Sequence, residues 1–319
     1  MIEYLMLIIG IILLIKGADY LIDGGSFLAK KIGVSSLFIG LTVLAFGTSL
    51  PELIISIISV LKGNSEIIFG NIIGSNMSNI LLILGISSLF ITIKVYESTI
   101  KKEIPYSIFA VLLLILFIGY FIIFKNSKNY LSFFEGFILI FCFAFFIHYI
   151  VLMAKENRKN TIHFDTSFKN ISNYKIYLMI IGGLIAIYFG GRFTVNNAII
   201  VANNLGLSEF FISATIIAIG TSLPELIICI TAALKKEIDM LIGNIIGSNI
   251  FNILWVIGIT AIIKPITFSS GLLIDLFILL FVSLFLLFIV YRYKSINKYQ
   301  GIIFILLYIL YIIYLIKNG

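Results

Sequence analysis

Gly47-Thr48-Ser49-Leu50-Pro51-Glu52 returns letter for letter as Gly220-Thr221-Ser222-Leu223-Pro224-Glu225, each copy inside a long apolar stretch. A proline and a carboxylate are both costly in such surroundings. Pro51 has no N–H for the carbonyl of Gly47 and its ring pushes that carbonyl aside, so a helix through this stretch opens and oxygen atoms are freed. Pro224 does the same to Gly220. Threonine and serine lie between, so a freed carbonyl, two hydroxyls and a carboxylate collect within about one turn of helix. That is an oxygen-rich nest for a hard cation.

Around the two hexapeptides the chain is apolar throughout. Hydrophobic residues make up 61% of its 319 and charged residues 12%, which excludes an ordinary soluble domain. Spans of about 20 residues cross a bilayer core, and ten are expected, at about 4–29, 35–61, 67–90, 104–124, 131–153, 176–201, 208–234, 240–263, 270–291 and 299–316. The net charge of +7 is scattered among loops rather than gathered into a nucleic-acid patch. Loops after odd-numbered spans carry Lys30, Lys31, Lys94, Lys101, Lys102, Lys155, Arg158, Lys159, Lys169, Lys175, Lys235, Lys236, Arg292, Lys294 and Lys298, whereas the even loops and C-terminus carry Lys62, Lys125, Lys128, Lys264 and Lys317. The positive-inside rule then puts the odd loops in the cytoplasm and both termini outside. With Glu3 ahead of it and no small-residue cleavage site, the first span reads as a retained helix. Cys142 and Cys229 sit in different spans and read as small apolar filler.

Residues 10–86 can be laid without a gap on residues 183–259 at a constant offset of 173. Gly17 meets Gly190, Gly33 meets Gly206, Ser35 meets Ser208, Thr42 meets Thr215, and Gly70-Asn71-Ile72-Ile73-Gly74-Ser75-Asn76 meets Gly243-Asn244-Ile245-Ile246-Gly247-Ser248-Asn249. Each repeat holds five spans, an odd number, so the second enters the membrane inverted. The expected organisation is an all-α polytopic membrane protein: a first five-helix repeat over 1–153, a cytoplasmic linker over 154–174, and an inverted five-helix repeat over 175–319. Such inverted repeats place a substrate site near the midplane between the halves.

Glu52 lies about 15 Å of helix before Lys62, about halfway through a core of roughly 30 Å, and Glu225 stands in the mirrored place. An ionised carboxylate there costs on the order of 3 kcal/mol, and one cation shared by both glutamates compensates directly. In the third and eighth spans Gly70-x-x-x-Gly74 and Gly243-x-x-x-Gly247 have the spacing for close helix packing. Asn71, Ser75 and Asn79 form one polar stripe, as do Asn244, Ser248 and Asn252. For Asn71 and Asn244 interhelical hydrogen bonding and ion ligation both remain open; the deeper Ser75, Asn79, Ser248 and Asn252 read as ligands. Lys16, Asp19 and Asp23 lie on one side of the first span, either as an ion entry path or paired among themselves and with Arg192. Glu135, His148 and Asp275 receive no role. The polar loop with His163 and Asp165 is too short for a folded regulatory domain.

GTSLPE followed by GNIIGSN, present twice in inverted halves, resembles the two α-repeats of the calcium/cation antiporter superfamily, and within it the compact prokaryotic form of the sodium/calcium exchangers. The resemblance spans essentially the whole chain. It implies ion ligands at Ala45 through its carbonyl, Thr48, Ser49, Glu52, Ser75 and Asn79, and at Ala218, Thr221, Ser222, Glu225, Ser248 and Asn252. It further implies a central calcium site with sodium sites around it, and a sliding or rocking of the first and sixth spans that opens this centre to one side at a time. One position departs: prokaryotic relatives can carry aspartate where this chain has Asn252, so the halves offer matching amides and only two central carboxylates. The glutamate that follows Gly-Asn-Ala in the cation/proton exchanger branch is absent, since isoleucines follow Gly70-Asn71. Oxygen-only ligation suits Ca²⁺ and Na⁺ rather than zinc, copper, iron or Mg²⁺. The expectation is electrogenic Na⁺/Ca²⁺ exchange, with Ca²⁺/H⁺ antiport as the alternative and a cation channel behind it. No enzyme activity and no cofactor are expected, Ca²⁺ and Na⁺ being bound as transported substrates. The expected setting is a cell membrane, with the lipid bilayer as surroundings, no nucleic-acid partner, and the chain working as a monomer.

Overall fold

The computed structural model describes residues 2–123, 129–160, 172–204, 220, 222–269 and 271–318. Within these, nine helices are long and apolar enough to cross a membrane. The shorter apolar helix Leu223–Leu234 is the described part of the seventh expected span. The rest of that span lies outside the described residues, as do Gly206, Ser208, Thr215, His163 and Asp165. The fifth span runs further than expected: its helix is Phe133–Asn160, because Met153-Ala154-Lys155-Glu156 are good helix formers that carry it past the apolar stretch. The sixth starts at Asn173, so the linker is shorter than 154–174.

Burial sorts the helices into layers. Most of the third and eighth spans is inside the protein, whereas the fifth is largely exposed. Large apolar side chains such as Leu116, Phe134, Phe281 and Leu310 face outward, as a lipid-facing surface requires. Two short antiparallel bridges tie the halves together. Ile93–Lys94 pairs with Ser295–Ile296, and Tyr130–Leu131 pairs with Ile266–Thr267. Positions 93–94 and 266–267 are repeat-equivalent, so exchanging the repeats turns one bridge into the other, at opposite ends of the fourth span.

The first helix, Ile2–Ile32, and the sixth, Asn173–Asn204, pack antiparallel along a glycine seam. A Cβ on Gly10 would stand 3.0 Å from the carbonyl of Gly190, and one on Gly183 would stand 2.8 Å from that of Gly17. Gly183 and Gly190 are the repeat mates of Gly10 and Gly17, so this contact also maps onto itself. Backbones this close leave no room for side chains between them. At one end the pair is tied to the core: Lys235 Nζ lies 2.7 Å from Asp23 Oδ1 and 3.3 Å from Asp19 Oδ1, and the Ser26 hydroxyl donates to Glu237 at 2.8 Å. The expected partners of Asp19 and Asp23, Lys16 and Arg192, are replaced by Lys235. The antiparallel register explains Arg192: it stands level with the start of the first helix, about 16 Å along the axis from Asp19.

The GxxxG expectation holds on one side. A Cβ on Gly243 would meet the carbonyl of Leu37 at 2.7 Å, and one on Gly247 the Ala45 side chain at 2.7 Å. Gly70 and Gly74 have no such neighbour among the described residues, and the repeat mates of Leu37, Leu41 and Ala45 fall at 210, 214 and 218, outside them.

The seam can be tested with adjacent glycines. Gly183→Ala should lower the thermal midpoint of the purified protein by several degrees, as overpacking of about 1–3 kcal/mol implies. Gly182→Ala, whose Cβ meets nothing within 4 Å, should leave the midpoint unchanged or slightly raised. Equal effects would contradict the seam.

Candidate cation site

The motif proline does more than bend its helix. The second span is built from Ser36–Ile39, a wide π-type stretch Gly40–Leu44, and Ala45–Thr48; it stops at Ser49 and starts again as Leu50–Lys62. Ser49 has φ −83° and ψ 0°, the sparsely used bridge region. Pro51 falls at the start of the new helix, where its missing N–H costs nothing. Glu52 falls in the first turn, where a negative charge meets the positive end of the helix dipole. The seventh span repeats this: Ser222 has φ −91° and ψ 7°, and Leu223–Leu234 begins with Pro224 and Glu225 in its first turn.

The third and eighth spans contribute a second local irregularity. Helix Ser65–Met77 passes into a π-type stretch Ser78–Ile83 that contains Asn79, and Ile238–Ile250 passes into Phe251–Ile257 that contains Asn252. A turn that skips its usual i→i−4 partner is costly and recurs at functional sites. Here it occurs at the same place in both repeats.

Thr48, Ser49, Glu52, Ser75, Asn79, Ser222, Glu225, Ser248 and Asn252 are all buried, both glutamates completely. They are linked across the repeats. Thr48 Oγ1 lies 3.1 Å from Ser248 Oγ; the Ser75 hydroxyl donates to Glu52 Oε1 at 3.4 Å and accepts from Asn252 Nδ2 at 3.3 Å. The Ala45 carbonyl accepts the Ser49 N–H at 3.0 Å, with the Thr48 hydroxyl 3.4 Å away. Ala218 and Thr221 lie outside the described residues. Beside the cluster, a cavity of about 340 Å³ is bounded by both motif prolines and by Tyr188, Arg192 and Asn196 of the sixth span.

Unmet hydrogen-bonding capacity shows what the cluster can hold. Glu52 Oε2, both oxygens of Glu225, Asn79 Oδ1, Asn252 Oδ1, Ser49 Oγ and Ser222 Oγ are buried without a partner among the described residues. Each such atom costs about 1–3 kcal/mol and a charged one more, so so many in one cluster call for a ligand that accepts only oxygen donors. A hard cation with six to eight oxygen ligands fits. No group of three His, Cys, Asp or Glu side chains suited to a metal occurs among the described residues; what the cluster gathers is two carboxylates and neutral oxygens.

Two asparagines that the expected ligand set omitted join the cluster: Asn76, whose Oδ1 accepts from Asn252 at 3.0 Å, and Asn249, whose Oδ1 accepts from Asn79 at 2.9 Å. Their place in the repeated GNIIGSN was the available signal. Asn244, left open between two readings, is hydrogen-bonded between helices: its Oδ1 is 3.4 Å from Thr48 Oγ1, and its Nδ2 is 3.4 Å from Cys229 Sγ. Cys229, read as filler, thus has a polar contact. Asn71 Nδ2 has no partner among the described residues, and the repeat mate of Thr48, Thr221, lies outside them.

Comparison with known proteins agrees with this architecture. The sequence matches the sodium/calcium exchanger protein family over residues 2–152 and 175–317. It is 33% identical over 310 residues to the putative antiporter CaxA of Alkalimonas amylolytica, covering 95% of both chains. It is 29% identical to the sodium/calcium exchanger MaX1 of Methanosarcina acetivorans, covering 96% of both. A solved structure of the sodium-calcium exchanger NCX_Mj, soaked with 2.5 mM Na⁺ and 1 mM Sr²⁺, superposes with a TM-score of 0.82 at 29% identity over 98% of each chain.

If the orphaned oxygens hold a cation, Ca²⁺ at a hundred times its dissociation constant should stabilise the purified protein by about 2.7 kcal/mol, a rise in thermal midpoint on the order of 5 °C. Glu52→Gln and Glu225→Gln should lose that rise, and Mg²⁺ should produce less of it because it sheds water reluctantly. An unaltered Ca²⁺ response in both variants would contradict the site.

Proposed function

The chain belongs to the sodium/calcium exchanger family and is a cation antiporter of that family, and from this premise we propose that it exchanges Na⁺ for Ca²⁺ by alternating access through a central site held by Glu52 and Glu225. The observation that carries the reading is the cluster of oxygens, unpartnered among the described residues, around two fully buried carboxylates. Two negative charges neutralise one Ca²⁺. Three or more Na⁺ in the same nest would carry net positive charge, so exchange at that ratio moves charge across the membrane. Thr48, Ser49, Ser75, Asn79, Ser222, Ser248 and Asn252, with Ala45, Ala218 and Thr221, supply the neutral oxygens that let a site lined by only two carboxylates meet a cation's coordination number.

The first and sixth spans form the mobile unit in this reading. Their glycine seam binds them to each other, while away from the Lys235 end their described contacts with the broken helices include small apolar ones: Leu184 over Gly47, Val195 over Gly220, and Gly191 against Pro224. Surfaces of that kind can slide without breaking hydrogen bonds. The orientation that follows from loop charge puts the Lys235 tie on the cytoplasmic side and both termini outside.

A second reading has its own support. With no ion between them, two buried carboxylates in one cluster repel, and a proton relieves this as well as Na⁺ does. Calcium uptake into proteoliposomes under Na⁺, K⁺ and pH gradients imposed one at a time separates the two. The expected result is uptake with the sodium gradient alone, stimulated by a membrane potential of the favourable sign, and its loss by at least a hundredfold in Glu52→Gln or Glu225→Gln. Uptake driven by pH alone would replace Na⁺ with H⁺, and passive flux that cannot concentrate calcium would replace exchange with a channel.

A further inference from the structure

Asn76 and Asn249 occupy the same place in the two repeats, one residue after Ser75 and Ser248, and both are buried. An amide has a donor end and an acceptor end, and away from water each end has to be matched. Asn76 donates through Nδ2 to the main-chain carbonyl of Asn249 at 3.3 Å. That bond turns its Oδ1 the other way, to Asn252 Nδ2 at 3.0 Å. Asn252 is therefore held by its nitrogen, from which the Ser75 hydroxyl accepts as well, and its oxygen is the end left unpartnered among the described residues. The mirrored pair matches in part: Asn79 donates through Nδ2 to Asn249 Oδ1 at 2.9 Å and Asn79 Oδ1 is unpartnered among the described residues, but Asn249 Nδ2 has no partner among them either, so Asn249 lacks the main-chain anchor that turns Asn76.

We propose that Asn76 and Asn249 are positioning residues, each fixing the orientation of an ion-binding amide that belongs to the other repeat, so that its oxygen and not its N–H is offered to the cation. The inference rests on the proposed reading of Asn79 and Asn252 as ligands. Half a turn of either amide would replace an attractive oxygen with a repulsive donor, a change no apolar neighbour would resist. The crossing pattern follows from the interleaved third and eighth spans: 76 holds 252 and 249 holds 79. Neither asparagine holds the ligand three residues further along its own helix. The arrangement also selects an amide at 252, since a carboxylate there would set one of its oxygens against Asn76 Oδ1.

Crosswise coupling is measurable. Equilibrium binding of radiolabelled Ca²⁺, with Na⁺ as competitor, is measured on purified full-length protein carrying Asn76→Ala, Asn249→Ala, Asn79→Ser or Asn252→Ser, and the four pairwise combinations of one positioning and one ligand substitution. Each alanine variant should weaken at least one of the two cations about tenfold. With Asn252→Ser present, Asn76→Ala should add less than twofold, and so should Asn249→Ala with Asn79→Ser present, because the amide being positioned is gone. The combinations Asn76→Ala with Asn79→Ser and Asn249→Ala with Asn252→Ser should show the full product of the single effects. A merely structural role would multiply in all four combinations, and that result overturns the proposal, as does undiminished affinity in both alanine variants. Where an alanine variant shows no cooperative melting transition, the same cycles are run with serine at 76 and 249, and the same outcomes decide. Glu52→Gln is run alongside: if it binds Ca²⁺ as the unaltered protein does, the central-site reading fails and this inference with it, whereas its loss of binding together with multiplicative cycles rejects the positioning role alone.

Discussion

Two carboxylates completely withdrawn from solvent, in the middle of a chain made mostly of apolar residues, set the terms for the rest of this protein. Neither can be neutralised by a neighbouring lysine or arginine, because the described ion pairs lie elsewhere, at Lys235 and Lys101. What surrounds the glutamates instead is neutral oxygen and amide nitrogen. A cationic side chain would satisfy them permanently, but neutral dipoles leave the charge deficit to be met by something that can come and go. The broken helices serve the same end, since each places its glutamate in the first turn of a fresh helix, where main-chain dipoles lessen the cost of the charge without occupying the oxygens.

Symmetry is the means by which a single sequence element supplies a whole site. The Gly10–Gly190 and Gly17–Gly183 contacts, the two strand bridges and the Asn76–Asn252 and Asn249–Asn79 bonds all turn into their partners when the repeats are exchanged. The departures are equally informative. Gly63, with φ 81°, closes its helix in the left-handed region, and its mate Lys236 does so at φ 61° despite carrying a side chain. A glycine takes that conformation freely whereas lysine does not, so the hydrogen bonds Lys236 N–H to Ala233 and Glu237 N–H to Ala232 hold it there. That strained corner positions Lys235 and Glu237 for their ties to the first helix, which have no counterpart at Lys62 and Asn64 among the described residues.

Much of this was legible in the sequence. Apolar runs located the helices to within a few residues, because in a bilayer the length and polarity of a span are set by its thickness and not by tertiary detail. The repeated hexapeptide and the GNIIGSN motif named nearly every residue of the cluster, since a polar side chain at that depth is too costly to be incidental. The wide turns at Asn79 and Asn252 were not legible: a skipped backbone partner has no residue signature, and Ser-Asn-Ile-Leu and Phe-Asn-Ile-Leu read as ordinary helix. Nor were the partners of Asp19 and Asp23, because a one-dimensional pattern shows which charges share a helix face but not which loop of the other repeat comes to meet them. The roles of Asn76 and Asn249 escaped for a related reason. On their own helices they stand off the stripe formed by Asn71, Ser75 and Asn79, and their purpose appears only when the two inverted helices are brought side by side.

The proposed motion follows from where hydrogen bonds are and are not found. Across the glycine seam the first and sixth helices meet backbone to backbone, so separating them would open voids along the whole length of both; they can move only together. Between that pair and the broken helices the close contacts described are of leucine, valine and proline with glycine. Such contacts lose little when they are displaced by part of a turn, since dispersion between apolar groups has no directional demand. The directional ties are gathered at one end, where Lys235 and Glu237 hold Asp19, Asp23 and Ser26. Lys235, Asp19 and Asp23 are partly exposed while Ser26 is buried; ion pairs in a partly exposed setting are worth little individually, so water can take over the partners of Lys235 when the pair shifts. In the proposed exchange cycle, an apolar surface among the described residues, ended by ion pairs that solvent can replace, would let the two-helix unit change position while the glutamates and their oxygens stay where they are.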